Sequence, residues 1–277
     1  MDDAKKDLFW VIFFLIIIAL VWYYTGGPNR PTSQEGLFLY KPQERYSEEV
    51  KSTTEKIIGT AAGISLEIDF DAIKQSDPQK EYIKIKTDWD IKSSTNISDW
   101  TLENKNGIRI KLGAAANLLL LPGIGATGLL SPSANETIYV TSGQSPIGMN
   151  FRLNKCTGYL AQMQTFIPEL SLRCPHLIKD ELLPAALDNA CIDYLNQNYK
   201  TCIAIFNLPS NLSTTCKDYA NYRTTYNGCA DWHKNDSDFY DNEWRVYLNN
   251  ASELWDNNHD TVTLRDENGK IIDQRSY

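Results

Sequence analysis

The chain has 277 residues, enough for one large domain or two of ordinary size plus an appendage. Its 27 Lys and Arg stand against 35 Asp and Glu, a net charge of −8. That balance argues against a duplex-DNA or polyphosphate binder, whose affinity comes from basic residues that release counterions. With 42% hydrophobic and 22% charged residues the composition also excludes wholesale disorder.

Residues 1–7 form a short polar N-terminus, and Leu8 to Tyr24 then runs without a charge or a strong turn former. At 1.5 Å per residue this stretch spans roughly 26 Å as a helix, enough for a thin hydrocarbon layer. Trp10 at one end and Trp22, Tyr23 and Tyr24 at the other sit where interfacial aromatics are favoured. The pattern predicts a transmembrane helix over 8–24 that anchors the chain. A cleaved signal peptide would have a shorter apolar core and a small-x-small site, which is missing after Ala19. Residues 25–59, broken by Gly26, Gly27, Pro28, Pro31 and Pro42, read as a stalk.

Beyond the stalk the apolar period changes to two. Ile64, Leu66, Ile68 and Phe70 alternate with polar residues, as do Ile83 and Ile85, then Ile108, Ile110 and Leu112, then Ile138 and Val140. These predict half-buried strands. Asn106-Gly107 and Asn268-Gly269 lie between strand-like runs and predict tight hairpins. The expected fold is mainly β, a β-sandwich made of residues 60–151 plus 243–277.

Between these pieces, residues 152–242 hold all six cysteines: Cys156, Cys174, Cys191, Cys202, Cys216 and Cys229. None forms a C-x-x-C pair, so disulfides in an oxidising compartment are expected rather than a zinc site. That places the N-terminus in the cytoplasm and the C-terminal ectodomain outside it, a single-pass arrangement. The region also repeats itself, Leu183-Pro-Ala-Ala-Leu-Asp-Asn-Ala-Cys191-Ile-Asp-Tyr194 aligning with Leu208-Pro-Ser-Asn-Leu-Ser-Thr-Thr-Cys216-Lys-Asp-Tyr219. Asp188 and Ser213 occupy equivalent places as N-caps of short helices. A stapled antiparallel helical hairpin follows, favouring Cys191 with Cys229, Cys202 with Cys216, and Cys156 with Cys174. Shorter helices would permit Cys191 with Cys202 and Cys216 with Cys229 instead.

Glu81-Tyr82-Ile-Lys-Ile85-Lys, followed by Asn96-Ile-Ser-Asp-Trp100-Thr-Leu102, resembles the signature of the lamin tail domain family. Asp260-Thr-Val-Thr-Leu264-Arg-Asp-Glu-Asn-Gly269-Lys-Ile-Ile-Asp273 resembles that family's closing hairpin. The chain as a whole is similar to bacterial membrane-anchored lamin-tail proteins with a Cys-rich insertion and a segment like His233 to Leu248 here. The resemblance implies an immunoglobulin-like sandwich that serves as an interaction module and carries out no reaction. Asp99 departs from the motif, which prefers Gly there.

No catalytic, cofactor or metal site is expected. Gly123-Ile-Gly-Ala-Thr-Gly128 spells G-x-G-x-x-G, but Pro132 and the strand-like Thr137 to Thr141 put it in a loop between strands. His176, His233 and His259 have no metal-ligand spacing. Asp236, Asp238 and Asp241 offer oxygens for Ca²⁺ but lack EF-hand spacing, so a solvated acidic turn is the expected reading. Asp69 and Asp71 would share one polar strand face. Trp244 alternates with Val246 and Leu248 as a core residue, leaving Trp232 and Trp255 as possible partner contacts. The favoured function is a non-enzymatic envelope protein that presents its domain to a protein or cell-wall partner. The alternative is a carbohydrate-active or other hydrolytic ectodomain, which would show two carboxyl groups roughly 5 to 9.5 Å apart in a cleft.

Overall fold

The computed structural model describes residues 13–20, 63–89, 91, 95–118, 128–178 and 184–277. In the N-terminal unit, residues 1–42, residues 13–20 are helical with every side chain exposed. No helix among the described residues is long and apolar enough to cross a membrane. The rest of the 8–24 segment and the whole 25–59 stalk lie outside the described residues.

In the second unit, β1 (Ile64–Glu67) pairs antiparallel with β2 (Tyr82–Thr87), and the alternating apolar residues of both point inward. The alternation stops earlier than its pattern suggests. Asp69 accepts hydrogen bonds from the Asp71 and Ala72 backbone N–H groups and caps α1 (Phe70–Ile73). An N-cap carboxylate satisfies otherwise orphaned helix donors, so the chain turns there instead of extending. Ile73 is therefore the core residue and Phe70 is exposed, and Asp69 and Asp71 share no strand face.

The remaining strands are β3 (Thr101–Glu103), β4 (Arg109–Lys111), β5 (Thr137–Thr141), β6 (Phe151–Asn154), β7 (Tyr240–Tyr247), β8 (Thr261–Arg265) and β9 (Ile271–Ser276). They form a five-stranded sheet in the order β1-β2-β5-β7-β6 and a four-stranded sheet in the order β4-β3-β8-β9. All pairings are antiparallel except β5 with β7. A parallel pair needs a long crossover, and here the connection runs through β6 and the Cys-rich segment. The sheet thus takes residues 152–154 and 240–242 that the sequence pattern leaves to the insertion.

Both hairpins use one local device. The Asn104 carboxamide oxygen accepts from the backbone N–H of Asn106 and Ile108, and Asp266 does the same for Asn268 and Lys270. Gly107 and Gly269 follow at φ +77 and +81, a conformation that costs a side chain but not glycine. Asp99, in contrast, has no positive φ, so its departure from glycine costs the turn nothing, and it ion-pairs with Lys111 at 3.1 Å.

One apolar core joins the two sheets: Ile83, Ile85, Ile138, Val140 and Val246 from the first meet Leu102, Val262, Leu264 and Ile272 from the second. Each such side chain stabilises the fold by about 1.5–3 kcal/mol when fully buried. Trp100, Trp244 and Trp255 complete this core.

The chain is mixed α/β rather than mainly β, because the segment between β6 and β7 is helical. A 3₁₀ turn (Thr157–Gln162) precedes α2 (Asn189–Asn198), α3 (Thr214–Arg223) and α4 (Tyr226–His233). Asp188, Ser213 and Thr225 cap the three helices through their side chains. The segment packs into two further small clusters, one around Tyr159, Phe166 and Tyr226 and one around Leu187, Leu195 and Leu212.

The disulfides are Cys156–Cys229, Cys174–Cys202 and Cys191–Cys216, and no cysteine is free. This corrects every pair favoured by the nested-hairpin expectation, and both local alternatives as well. The reason lies in the caps. Asp188 and Ser213 each accept from the N–H of the cysteine three residues on, so both cysteines sit in the first turn of their helices. The chain doubles back between α2 and α3, bringing the two helix starts together, and the repeat's own equivalent cysteines pair with a Cα separation of 5.6 Å. Cys202 and Cys229, the second cysteine of each copy, then reach back to Cys174 and Cys156. Gly158 is needed beside one bridge, since a Cβ there would meet the Cys202 sulfur at 2.4 Å. Peptide mapping of unreduced protein should recover Cys191 linked to Cys216, with Cys156 linked to Cys229. A peptide joining Cys191 to Cys229 or to Cys202 would refute this connectivity.

Candidate functional site

The residues carrying the family resemblance are architectural. Glu81 is fully buried at the start of β2, and its carboxylate accepts from the Leu254 and Trp255 N–H groups at 2.8 and 3.1 Å. Burial pushes its carboxyl up to about 7 against the opposing effect of those hydrogen bonds. Asp260, also buried, accepts from the N–H groups of Lys105, Asp256 and Thr261. Asp273 accepts from the Leu66 N–H at 2.8 Å and so ties β9 to β1. Tyr82 packs its ring near Tyr139, while Ile85, Leu102 and Leu264 lie in the core. Asn96 accepts from the Ser98 N–H, and the Trp100 indole donates to Glu267. Gly269 supplies the positive φ of the closing hairpin.

Two aromatic candidates separate. Trp255 is 1% exposed, held inside by Glu81, which corrects its reading as a partner contact. Trp232 is half exposed on α4, with the Arg223 guanidinium 4.2 Å from its ring.

The acidic turn is neutralised from within. Lys155 reaches Asp238 at 2.5 Å and Asp236 at 3.1 Å, and the buried His233 ring lies 2.8 Å from Asp236. His233 first, then Lys155, hold the Asp236 carboxyl below its ordinary range, and Lys155 does the same for Asp238. An ammonium thus sits where a hard cation would need six or more oxygens. Among the described residues no group of three His, Cys, Asp or Glu could hold a metal ion. Of the G-x-G-x-x-G segment only Gly128 is among the described residues.

The cysteine bridges build a cleft of about 380 Å³. Tyr159 and Leu160 follow Cys156 in the 3₁₀ turn, Ala204 and Phe206 follow Cys202, and Thr225 and Tyr226 precede Cys229. Pro146 and Ile147 from the β5–β6 loop, with Gln162, Met163 and Gln164, complete the wall. No lining side chain is charged. The polar groups are mostly engaged inside the protein. The Tyr159 hydroxyl meets that of Tyr199, and the Gln162 carbonyl accepts from the Ala204 N–H. Thr225 donates to the Tyr222 carbonyl, and the Asn154 amide donates to the Tyr226 hydroxyl. Burial raises the Tyr226 pKa, so its hydroxyl stays neutral. Met163 and Phe206 stand at the mouth, 74% and 59% exposed.

A second cleft, of about 460 Å³, is polar. Asp241 and Glu243 enter it from β7, joined by Glu169, Arg173 and Lys155. Two residues apart on a strand, their Cα atoms are about 6.6 Å apart. Burial raises both carboxyls, against Arg152 and Lys155 for Asp241 and against Arg245 for Glu243. Arg245 lies 2.5 Å from Glu243. Sequence reading places Asp241 only in the acidic turn and passes over Met163, Ala204 and Phe206, apolar residues of irregular segments with no periodic signal.

No family model, no curated protein and no solved structure matches the chain.

Because the folded pKa of Glu81 lies above its ordinary value of 4.5, the folded state binds the extra proton between that pH and about 7. Stability should therefore fall as pH rises through this window, and Glu81→Gln should flatten that slope in thermal melts taken from pH 4.5 to 8. An unchanged slope in the variant would assign the dependence elsewhere.

Proposed function

We propose that this chain is a membrane-anchored, extracytoplasmic and non-enzymatic binding protein. A lamin-tail-like, immunoglobulin-like sandwich presents the disulfide-stapled insertion to a protein or cell-wall partner. The observation that carries the reading is the apolar cleft, an uncharged concavity of ligand-binding size whose polar groups are largely engaged internally. Such a surface suits binding, and it holds no carboxylate, imidazole, amine or thiol for reaction. Six cysteines in three bridges support an oxidising compartment. The lamin-tail reading draws support from the placement of its motif residues at joints between strands and loops, where an interaction module needs rigidity rather than chemistry. The membrane anchor rests on the apolar run of residues 8–24.

Cross-linking in the native envelope should capture a partner with the full chain and lose it with Met163→Glu, an exposed position whose substitution leaves the melt unchanged. Capture unaffected by that charge would remove the apolar cleft from the function. Protease added outside the membrane should digest the region after Arg30, and full protection until lysis would reverse the topology.

The hydrolase reading has one observation in its favour, the two carboxyls that line the polar cleft, Asp241 exposed and Glu243 half-buried. The binding reading expects the full chain to release no reducing ends from cell-wall glycan. Turnover that disappears in Asp241→Asn and in Glu243→Gln would transfer the function to that cleft.

A further inference from the structure

The geometry points to a more specific use of the apolar cleft: it is an anchor pocket for one uncharged aromatic side chain of a protein partner, rather than a subsite for cell-wall glycan. This rests on the reading of the cleft as a binding site and deepens it by choosing between the two classes of partner.

Charge is the first argument. The chain carries a net charge of −8, yet the cleft lining holds no carboxylate, ammonium, guanidinium or imidazole, so no charged group there would offset the desolvation of a charged ligand. The occupant must be neutral. Hydrogen bonding is the second. A glycan displays hydroxyls on every face and is held by free donors and acceptors, because each buried hydroxyl left unpaired costs about 1–3 kcal/mol. Here the Tyr159 and Thr225 hydroxyls and the Gln162 side-chain oxygen already have protein partners, and the Tyr226 hydroxyl accepts from Asn154, so the glutamine amides at positions 162 and 164 are the main polar groups left to meet a ligand. The cleft therefore favours a ligand that needs few hydrogen bonds.

Size and rim are the third. About 380 Å³ falls at the small end of ligand pockets, suited to a single large side chain with room for its backbone at the mouth. Met163 and Phe206 flank that mouth, both exposed. A flexible thioether and an aromatic ring around a pocket are what a protein interface uses to close over an inserted anchor. Such anchors, enriched in Trp and Tyr, dominate interface energies when they fill a desolvated pocket.

The test uses the full chain and four probes of stated chemistry: N-acetyl-L-tryptophanamide, N-acetyl-L-lysinamide, a soluble chitin oligosaccharide and phosphatidylcholine vesicles. Methyl resonances of Ile147, Leu160 and Met163, all lining the cleft, report occupancy by nuclear magnetic resonance, and those of Ile147 and Leu160 serve in Met163→Glu. The tryptophanamide should shift them saturably, and its affinity should fall about tenfold or more in Met163→Glu and in Phe206→Ala. Thermal melts of both variants should match the parent, since both side chains are exposed. The lysine, glycan and vesicle probes should leave the resonances in place. Saturable binding of the glycan or the vesicles at Met163, or equal binding of the lysine and tryptophan amides, would overturn the assignment. If Met163→Glu abolishes envelope capture while the tryptophanamide fails to bind, the anchor chemistry is wrong and the binding site stands. If neither changes, the cleft is not the binding site and both readings fall.

Discussion

The bridge between Cys156 and Cys229 carries more of this molecule than any other single contact. It spans 73 residues of sequence and joins the residue two beyond the end of β6 to the helix before β7. Closing a loop of that length removes unfolded-chain entropy worth roughly 4 kcal/mol, and the shorter bridges about 3.5 kcal/mol each in the same treatment. One of the insertion's apolar clusters is shared with Phe151, Leu153 and Tyr247 of the sheet and the other is small, so cross-links supplement the core that holds it. Its location also sets the cleft. Three of its four walls follow or precede a bridged cysteine, so the bridges bring those distant stretches of chain together against the β5–β6 loop.

The sheets rely on a different device, the buried carboxylate that accepts backbone N–H groups. Glu81 fixes the segment around Leu254 and Trp255, Asp260 fixes the loop before β8 and the β3–β4 turn, and Asp273 ties the ends of the two sheets. Glu136 does the same at the start of β5. It accepts from the Trp244 indole at 2.7 Å and from the Ser133 N–H, and it pairs with Arg152. Each of these acids satisfies donors that a loop would otherwise bury unpaired, a cost larger than the gain from most surface ion pairs. These four acids, which look available for chemistry in the sequence, are thus structural.

The two clefts divide the remaining chemistry. One is neutral and its polar groups are mostly occupied, so shape and dispersion govern what enters. The other gathers carboxylates, a guanidinium and an ammonium around one opening, where charge governs instead. Lys155 links the polar cleft to the acidic turn, because its ammonium is held by Asp236 and Asp238 while its residue borders that cleft. A turn that reads as a cation site in one dimension is an internal ion-pair network in three.

Local features were legible in the residues themselves. Period-two alternation located β1, β2 and β5, the Asn-Gly pairs located two hairpins, and the 25-residue repeat located two capped helices with equivalent cysteines. Each depends on neighbours within a few positions, where side-chain chemistry acts directly on the backbone. The point at which β1 ends was legible in principle, as Asp69 three and four residues before the apolar Ala72 and Ile73, but alternation and capping compete there and the cap prevails at Asp69. Tertiary structure alone decided the rest. Which cysteines pair depends on how α2 and α3 meet, Trp255 is inside because Glu81 holds it there, and Lys155 reaches acids more than 80 residues away. The cleft has no sequence pattern because Tyr159, Ala204 and Tyr226 share it only after distant bridges close. Residues far apart in sequence carry no mutual period, and only the folded chain brings them within contact distance.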